Sequence, residues 1–374
     1  MNKKTDIDLE RGDKMKKITA ILLSLAIILS AVSVMAVAAD EALPDSAAVT
    51  AEADGFFHRL ANSLERLYEA ICQSFDNIFG TCDKSVNLNL KNAEKENVPV
   101  GTWWWYTDDI TNGNCDNYLD FLKKNNVSEI YLFGEAMGYN VPFDTIRGFI
   151  KKCSSMDIRV AYLGGEYYWI DDYAAYDRII NTLIEYQNEA ADDEKFYSIH
   201  LDLEPAQHPD YQENSQEIMQ RFADFLINKA RPSADNTGLL LEWDIHSFLE
   251  TFTVNVNGEE KNLCELFFEV CDSINIMSYN EDADRIIRMT KDEISYAKKH
   301  HTKVSLCVEA SQIPNRNETF YEEGKRVLVR RLSKVNRKIR KEMAGESYGY
   351  AVHYVDSWYA LQNYPLWGST NDYD

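Results

Sequence analysis

Short apolar runs alternate with amphipathic stretches along the chain from residue 99 onward. Eight of the runs are rich in β-branched and aromatic residues and have the length of strands. They span residues 100–106, 129–134, 159–165, 198–204, 239–245, 274–280, 303–310 and 349–355. The segments between them, such as 115–126 and 143–156, carry apolar residues at helical spacing. Strands that alternate with helices indicate a parallel sheet, and eight such units predict an α/β fold of the (β/α)8 TIM-barrel type. A doubly wound open sheet is the alternative.

The N-terminal segment has the layout of an export signal. A pair of lysines follows Met15, a long apolar run comes next, and Ala36-Val37-Ala38 fits a small-x-small cleavage site. We therefore expect Met15 to be the true start, residues 1–38 to be a signal peptide region, and the mature protein to be secreted. The alternative is an uncleaved membrane anchor, because the apolar run is just long enough to cross a bilayer.

Residues 39–98 are predicted to form a linker and one amphipathic helix that precede the barrel at 99–374. The linker part is rich in Ala, Glu and Asp, whereas residues 55–79 carry apolar side chains at helical spacing up to Gly80. This helix docks on the main domain, pairs with a partner or rests on a membrane surface; docking is the default expectation. The oligomeric state stays open.

Composition narrows the classes of function. The formal net charge is −22, and 45% of the residues are hydrophobic, so the chain is too apolar for a disordered protein and too acidic for a nucleic-acid partner. No Gly-rich phosphate loop is present, and no cofactor is expected. The 7 cysteines include no CxxC pair, which predicts no metal site. Cys264 and Cys271 are either a disulfide or small buried side chains.

Acidic and aromatic residues gather where the barrel strands end, and this is where TIM barrels place their active sites. Acids are costly inside apolar runs unless they are paired or exposed at a site, and carboxylates ringed by aromatic faces suit a sugar. The alternative is that these side chains simply fill a large barrel. The side chains that we expect to bind substrate are Trp104, Glu135, Glu166, Glu242, Asp244 and Trp358.

The strongest single motif is His200-Leu201-Asp202-Leu203-Glu204-Pro205. Strand alternation puts His200, Asp202 and Glu204 on one face. Two adjacent carboxylates raise the pKa of one of them, which keeps a proton available for a leaving group. Glu204, nearer the rim, is the better general acid, Asp202 would orient it or share its proton, and His200 is expected to pair with Asp202.

These residues resemble the pattern of glycoside hydrolase family 18, the chitinase-like barrels. The resemblance rests on Asp202-x-Glu204 after strand 4, Met277-Ser278-Tyr279-Asn280 after strand 6 and Trp358 after strand 8. It implies that Glu204 is the acid, that Asp202 assists, and that Tyr279 supports the substrate's acetamido group. The reaction would then use the substrate's own N-acetyl oxygen. The family's run is D-x-x-D-x-D-x-E, and this chain has Tyr197 and His200 at its first two acidic positions.

Two other resemblances share Glu204. The sequences around Glu204 and Glu309 resemble the large retaining clan, which implies that Glu204 is the acid/base and Glu309 the nucleophile. Family 25 lysozyme-like barrels also end strand 4 in Asp-x-Glu. All three resemblances imply a polysaccharide or cell-wall glycan as substrate, in association with the cell envelope.

Two further functions stay open. A non-catalytic carbohydrate-binding barrel is suggested by the substitutions at 197 and 200, and a surface protein assembled through helix 55–79 is the third class. His208 near Asp210, and His246 near Asp244, could bind a metal together with Glu204, as a polysaccharide deacetylase would require, but their spacing is generic.

Overall fold

Eight parallel strands pair edge to edge and close into a barrel in a computed structural model of the chain, which describes residues 86–111 and 114–363. The strands in chain order are β1 Val100–Trp104, β2 Glu129–Phe133, β3 Arg159–Gly164, β4 Ser198–Leu201, β5 Leu240–Ile245, β6 Thr253–Val256, β7 Glu259–Asn262, β8 Ser273–Ile276, β9 Lys303–Glu309 and β10 Tyr348–His353. β6 and β7 form a separate antiparallel hairpin, and β1 pairs with both β2 and β10. That closing pair confirms the predicted TIM barrel and excludes the open sheet.

Helices cover the outside of the barrel between the strands. They are α1 Cys115–Lys124, α2 Phe143–Ser154, α3 Tyr173–Glu189, α4 Tyr211–Phe225, α5 Arg231–Thr237, α6 Leu263–Val270, α7 Ala283–Met289, α8 Lys291–His300, α9 Gly324–Glu342 and α10 Val355–Ala360. A π-helical stretch, Leu226–Ala230, joins α4 to α5. Short 3-10 helices follow several strands, and Thr107–Ile110, Tyr167–Ile170 and Pro205–Gln207 lie at the same end of the barrel as the carboxyl ends of β1, β3 and β4.

Side chains alternate between the lumen and the outer core, as the strand period of two requires. Trp103, Tyr131 and Cys307 form part of a small buried cluster inside the barrel. The much larger core lies between the strands and the helices and contains Trp104 and Trp243. Because both faces of each strand are buried, a strand's apolar run alone does not say which residues face the lumen.

An ion cluster around the buried carboxylate of Glu129 closes the amino-terminal end of the lumen. Glu129 accepts hydrogen bonds from Lys303, at 2.6 Å to each carboxylate oxygen, and from Arg159 at 2.8 Å. The Arg159 guanidinium also lies 4.2 Å from the centroid of the Tyr197 ring. A buried carboxylate needs such partners, so the floor of the barrel is charged and fully paired.

The predicted signal region and the helix at 55–79 lie outside the described residues. Their boundaries, together with secretion and membrane anchoring, stay predictions. Within residues 86–111 and 114–363, no helix has both the length and the apolar character needed to cross a membrane. Cys264 and Cys271 are both buried and unpaired, which matches the second of the two alternatives for these residues.

One buried acid outside the lumen makes stability depend on pH. Glu293 of α8 is 1% exposed, and no group in the described part of the chain forms a hydrogen bond with either of its carboxylate oxygens. Burial raises the pKa of Glu293 from 4.5 to about 8, and the charges of Glu250 and Asp292 add to the effect. The folded chain therefore keeps a proton that the unfolded chain releases above pH 4.5, so stability falls between that pH and about 8.

We expect Glu293→Gln to remove this part of the pH dependence. The variant should gain thermal stability over the wild type at pH 8 and gain little or nothing near pH 4.5, because the amide never ionises. Thermal unfolding across this range measures the effect, with Glu185→Gln on the exposed face of α3 as a control. Equal shifts of Glu293→Gln at both pH values would contradict the assignment.

Candidate active site

The end of β4 carries a row of polar side chains toward the mouth of the barrel. Leu201 and Leu203 are buried in the outer core, so alternation turns His200 and Asp202 toward the lumen. Glu204 comes next and precedes the 3-10 helix Pro205–Gln207. The three residues thus lie at successive depths, with His200 lowest and Glu204 at the rim.

Glu204 is held from two sides and stays accessible. Its Oε2 atom lies 2.7 Å from Nε2 of His246, which follows β5, and its Oε1 accepts a hydrogen bond of 2.8 Å from Gln207. The side chain is 26% exposed. A carboxyl group in this position can reach a ligand at the mouth, as a general acid must.

Asp202 lies below Glu204 and, within residues 86–111 and 114–363, forms no ion pair, although the charge of His200 acts on it. Among the same residues, no group forms a hydrogen bond with its buried Oδ1 atom. Burial is the largest cause that raises the pKa of Asp202 well above its usual value, and the charges of Asp244 and Glu204 raise it further, against the opposing effect of His200. Asp202 therefore favours its protonated form, which can donate a hydrogen bond.

His200 does not pair with Asp202, which corrects the prediction. Its Nδ1 lies 3.2 Å from Glu242 and its Nε2 lies 2.8 Å from Asp244, while its ring stacks on Tyr131 with centroids 4.0 Å apart. Burial alone would lower the pKa of His200, but the two carboxylates overcome this and raise it to about 10. His200 is thus a buried imidazolium at neutral pH.

Glu242 and Asp244 are the counterions of His200 and lie too deep to contact a ligand at the mouth. Glu242 also accepts hydrogen bonds from Tyr197 at 2.9 Å and Ser198 at 3.0 Å. Burial would raise the pKa of Glu242, but His200, Lys303 and Tyr197 lower it to about 2. Asp244 accepts from the indole N–H of Trp103 at 2.8 Å. Both acids are thus held by side chains inside the lumen, and a direct contact of either with substrate stays a prediction.

Glu309 at the end of β9 has hydrogen-bond donors on both oxygens. Oε1 accepts from the backbone N–H groups of Ala310 at 2.8 Å and Ser311 at 2.6 Å. Oε2 lies 2.6 Å from Nδ1 of His353 at the end of β10. The side chain is almost completely buried, so these hydrogen bonds hold the carboxyl group of Glu309 in one orientation.

Tyr279 lies beside the same histidine. Its ring stacks on His353 with centroids 6.0 Å apart and an interplanar angle of 29°. Burial raises the pKa of the Tyr279 hydroxyl, and the charges of Cys307, Glu309 and Asp202 add to this. The hydroxyl therefore stays protonated as a donor, within electrostatic reach of both Asp202 and Glu309.

Glu135 and Glu166 lie at the ends of β2 and β3. Glu135 accepts a hydrogen bond of 3.0 Å from the backbone N–H of Gly165. Burial raises the pKa of Glu135, the hydrogen bond from Gly165 opposes this, and the charge of Glu166 adds to it. Glu135 thus braces the loop after β3, whereas Glu166 is half-buried at the rim.

Trp104 and Trp358 do not join the site. Trp104 is fully buried in the outer core, where its ring meets Tyr118 and Phe149 of the first two helices edge to face. Trp358 of α10 is buried against Phe121. Trp105 instead reaches the mouth, because it shares strand parity with the lumen residue Trp103. Three consecutive tryptophans hide that parity in the sequence.

Two histidines of the site have roles that sequence reasoning missed. His353 had no assigned role, although it ends the last barrel strand. His246 was considered as a metal ligand, and it contacts Glu204 instead. His208 lies 2.9 Å from Asp171. In the described ranges, no three His, Cys, Asp or Glu side chains are grouped to hold a metal ion.

The comparisons with known proteins find similarity only at the level of structure. No family model and no curated protein matches the sequence. Solved structures that resemble the chain include a family 18 chitinase from Cycas revoluta in complex with a GlcNAc trimer (12% identity, TM-score 0.43, covering 70% of this chain and 96% of that one). A family 18 chitinase from Pseudoalteromonas aurantia has 12% identity and a TM-score of 0.42 over 68% of this chain and 93% of that one.

Xylanases also resemble the structure. Xylanase A of P. fluorescens subsp. cellulosa, in complex with xylopentaose, has 12% identity and a TM-score of 0.46 over 72% of this chain and 90% of that one. The structural neighbours are thus glycoside hydrolases with TIM barrels, in line with the resemblances read from the sequence. The assignment of the fold rests on the pairing of the eight barrel strands.

Gly165 is the close-packing point that sets the position of Asp202. A Cβ atom at this residue would lie 2.3 Å from the backbone oxygen of Asp202 and 2.4 Å from its carbonyl carbon. We expect Gly165→Ala to displace Asp202 and to destabilise the fold by about 1–3 kcal/mol, the usual cost of overpacking. Gly148→Ala is the matched control, because that helical position has open space and gains helix propensity. Thermal unfolding compares the two variants, and equal stability of both would contradict the assignment.

Proposed function

We propose that this chain is a secreted glycoside hydrolase in which Glu204 is the general acid and Asp202 assists it. The fold is a glycoside hydrolase-like TIM barrel. The observation that carries the proposal is the pair of neighbouring carboxyl groups after β4. Glu204 is accessible at the rim, whereas Asp202 beneath it is buried and has a raised pKa. Carboxyl groups in such different environments can take different roles, and Glu204 is assigned as the donor because it is the one that a leaving group can reach.

The reaction that fits these groups proceeds through the substrate's own N-acetyl group. Glu204 donates its proton to the glycosidic oxygen as the bond from that oxygen to C1 breaks, and the N-acetyl carbonyl oxygen attacks C1 to form a cyclic oxazolinium ion. Glu204, now a carboxylate, takes a proton from water, whose oxygen attacks C1 and reopens the ring. Protonated Asp202 and the hydroxyl of Tyr279 would hold the acetamido group.

The bracing of Glu309 favours this route over a mechanism with two glutamates. A nucleophilic carboxylate must turn one oxygen to the sugar, whereas Glu309 accepts three hydrogen bonds on its two oxygens and is buried. The substrate class that follows is a glycan with N-acetylated sugars. The predicted export signal at 1–38 supports a substrate outside the cell or in its envelope.

A non-catalytic carbohydrate-binding barrel is the second candidate function. It is supported by Tyr197 and His200, which stand where the family 18 run has acids. Tyr197 does not plug the mouth, since its hydroxyl donates to Glu242 and its ring covers Arg159 at the floor of the barrel. Because Glu204 stays accessible at the rim, the hydrolase is the better candidate. Helix 55–79 lies outside the described residues.

Reducing-end release from a glycan panel tests the proposal. The panel holds chitin oligomers, peptidoglycan, β-glucans and galactosaminoglycans, and the mature protein is compared with two variants. We expect Glu204→Gln to lower kcat/KM by about 100-fold to 10,000-fold, the usual size of general acid catalysis. Glu309→Gln should lose less activity than Glu204→Gln, because the amide keeps one acceptor oxygen and the proposed route needs no nucleophile at this position. Glu185→Gln controls for the charge change.

The outcomes separate the candidates. Unchanged activity of Glu204→Gln would overturn the assigned acid. Equal loss in Glu204→Gln and Glu309→Gln would support two catalytic glutamates. Binding to one glycan without release from any of them would support the carbohydrate-binding barrel.

A further inference from the structure

His353 lies between a tryptophan and a glutamate at the mouth of the barrel. The indole Nε1 of Trp105 donates a hydrogen bond of 2.9 Å to Nε2 of His353. Nδ1 of the same ring lies 2.6 Å from Oε2 of Glu309. The three side chains come from the ends of β1, β10 and β9, which are neighbours in the barrel.

The chemistry of the three groups sets the direction of both hydrogen bonds. An indole N–H is only a donor, so Nε2 of His353 presents its lone pair to Trp105. The imidazole proton is then on Nδ1 and is donated to Glu309, which in turn is anchored by the N–H groups of Ala310 and Ser311. The rigid backbone of the β9 end thus determines the orientation of Trp105 through two side-chain hydrogen bonds.

The imidazole also orients the aromatic side chain on its other side. Tyr279 stacks on His353, and Trp105 lies against Phe133 with ring centroids 5.9 Å apart. Trp105 and Tyr279 are both partly exposed. They lie in the same lumen cluster, beneath the mouth to which Glu204 also belongs. Partly exposed aromatic faces next to a few polar groups are typical of small-molecule sites.

We propose that Glu309 and His353 are positioning residues that hold Trp105 and Tyr279 as two walls of a sugar-binding site, and that Trp105 is a stacking surface for a sugar ring. The ligand class rests on the proposed function, but the positioning itself does not. In this proposal Glu309 positions other side chains and is not a nucleophile. Trp105, and not the predicted Trp104, is the tryptophan that binds the ligand.

Conservative variants separate positioning from nucleophilic attack. Glu309→Gln keeps one acceptor oxygen; turned toward His353 it still accepts the Nδ1 proton, at the loss of the contacts with Ala310 and Ser311. The indole N–H resonance of Trp105 in a 15N-labelled spectrum should therefore move less in this variant than in Glu309→Ala. Glu309→Ala removes the acceptor, and the resonance should move. Trp105→Phe assigns the signal. If Glu309→Ala fails to fold, His353→Phe replaces it, because that ring still stacks on Tyr279 but offers Trp105 no acceptor.

Binding is measured in the Glu204→Gln background, where turnover is suppressed, with N-acetylchitotetraose and xylopentaose as probes. Trp105→Ala should weaken binding of one probe by about tenfold or more, the scale of an aromatic contact. Trp105→Phe should retain most of the affinity. Tyr359→Ala is the control, because Tyr359 is 41% exposed but lies on α10 against Tyr118 and Phe121.

The two readouts fail independently of each other and of the hydrolase proposal. An unmoved Trp105 resonance in both Glu309→Ala and His353→Phe overturns the positioning role. Unchanged binding in Trp105→Ala, or no binding of either probe, overturns the stacking surface, even where the wild type cleaves a glycan. Loss of binding in Trp105→Ala without any cleavage supports the inference and overturns the hydrolase.

Discussion

The cost of burying charge inside the barrel governs the arrangement of its lumen. A carboxylate taken out of water must find a cation or several hydrogen-bond donors. Glu129 has Lys303 and Arg159, Glu242 and Asp244 share His200, and Glu309 has His353 and two backbone N–H groups. Asp202 is the lumen acid with a buried oxygen that lacks a partner, and it responds by holding a proton. The candidate site therefore combines one protonated carboxyl group, Asp202, with carboxylates that histidines hold, Glu204 and Glu309.

The strands and their order follow from sequence, because eight apolar runs separated by helices leave few other folds. The depth of each acidic side chain in the barrel does not follow from the sequence. Glu242 and Glu204 both stand near a strand end, yet the first is paired deep in the lumen and the second is at the rim. Depth depends on the stagger between neighbouring strands, which pairs His200 with Glu242. A single sequence does not display that stagger.

The sequence also does not show which aromatic side chains face the lumen, for a related reason. Trp103, Trp104 and Trp105 are consecutive, and both faces of β1 are buried, so polarity gives no sign of which ring faces inward. The structure answers through the partners: Trp103 donates to Asp244 and Trp105 to His353, both in the lumen, whereas Trp104 packs among helices. The acceptor that each indole N–H finds shows its side: a lumen side chain for Trp103 and Trp105, but the backbone carbonyl of Tyr106 for Trp104.

The acid that the family 18 run would place at residue 200 has a counterpart across the strand pair. His200 lies opposite Glu242 in the register of β4 and β5, and Asp244 is two residues further along the same strand. A carboxylate at position 200 would lie buried beside the like charges of Glu242 and Asp244. The imidazolium of His200 instead forms an ion pair with each of these two acids. The lumen beneath Asp202 therefore keeps its negative charge, now on β5, and the positive charge of His200 prevents that charge from acting at full strength on Asp202. Histidine at position 200 is consistent with a working carboxyl pair above it, because its two counterions are built into the neighbouring strand.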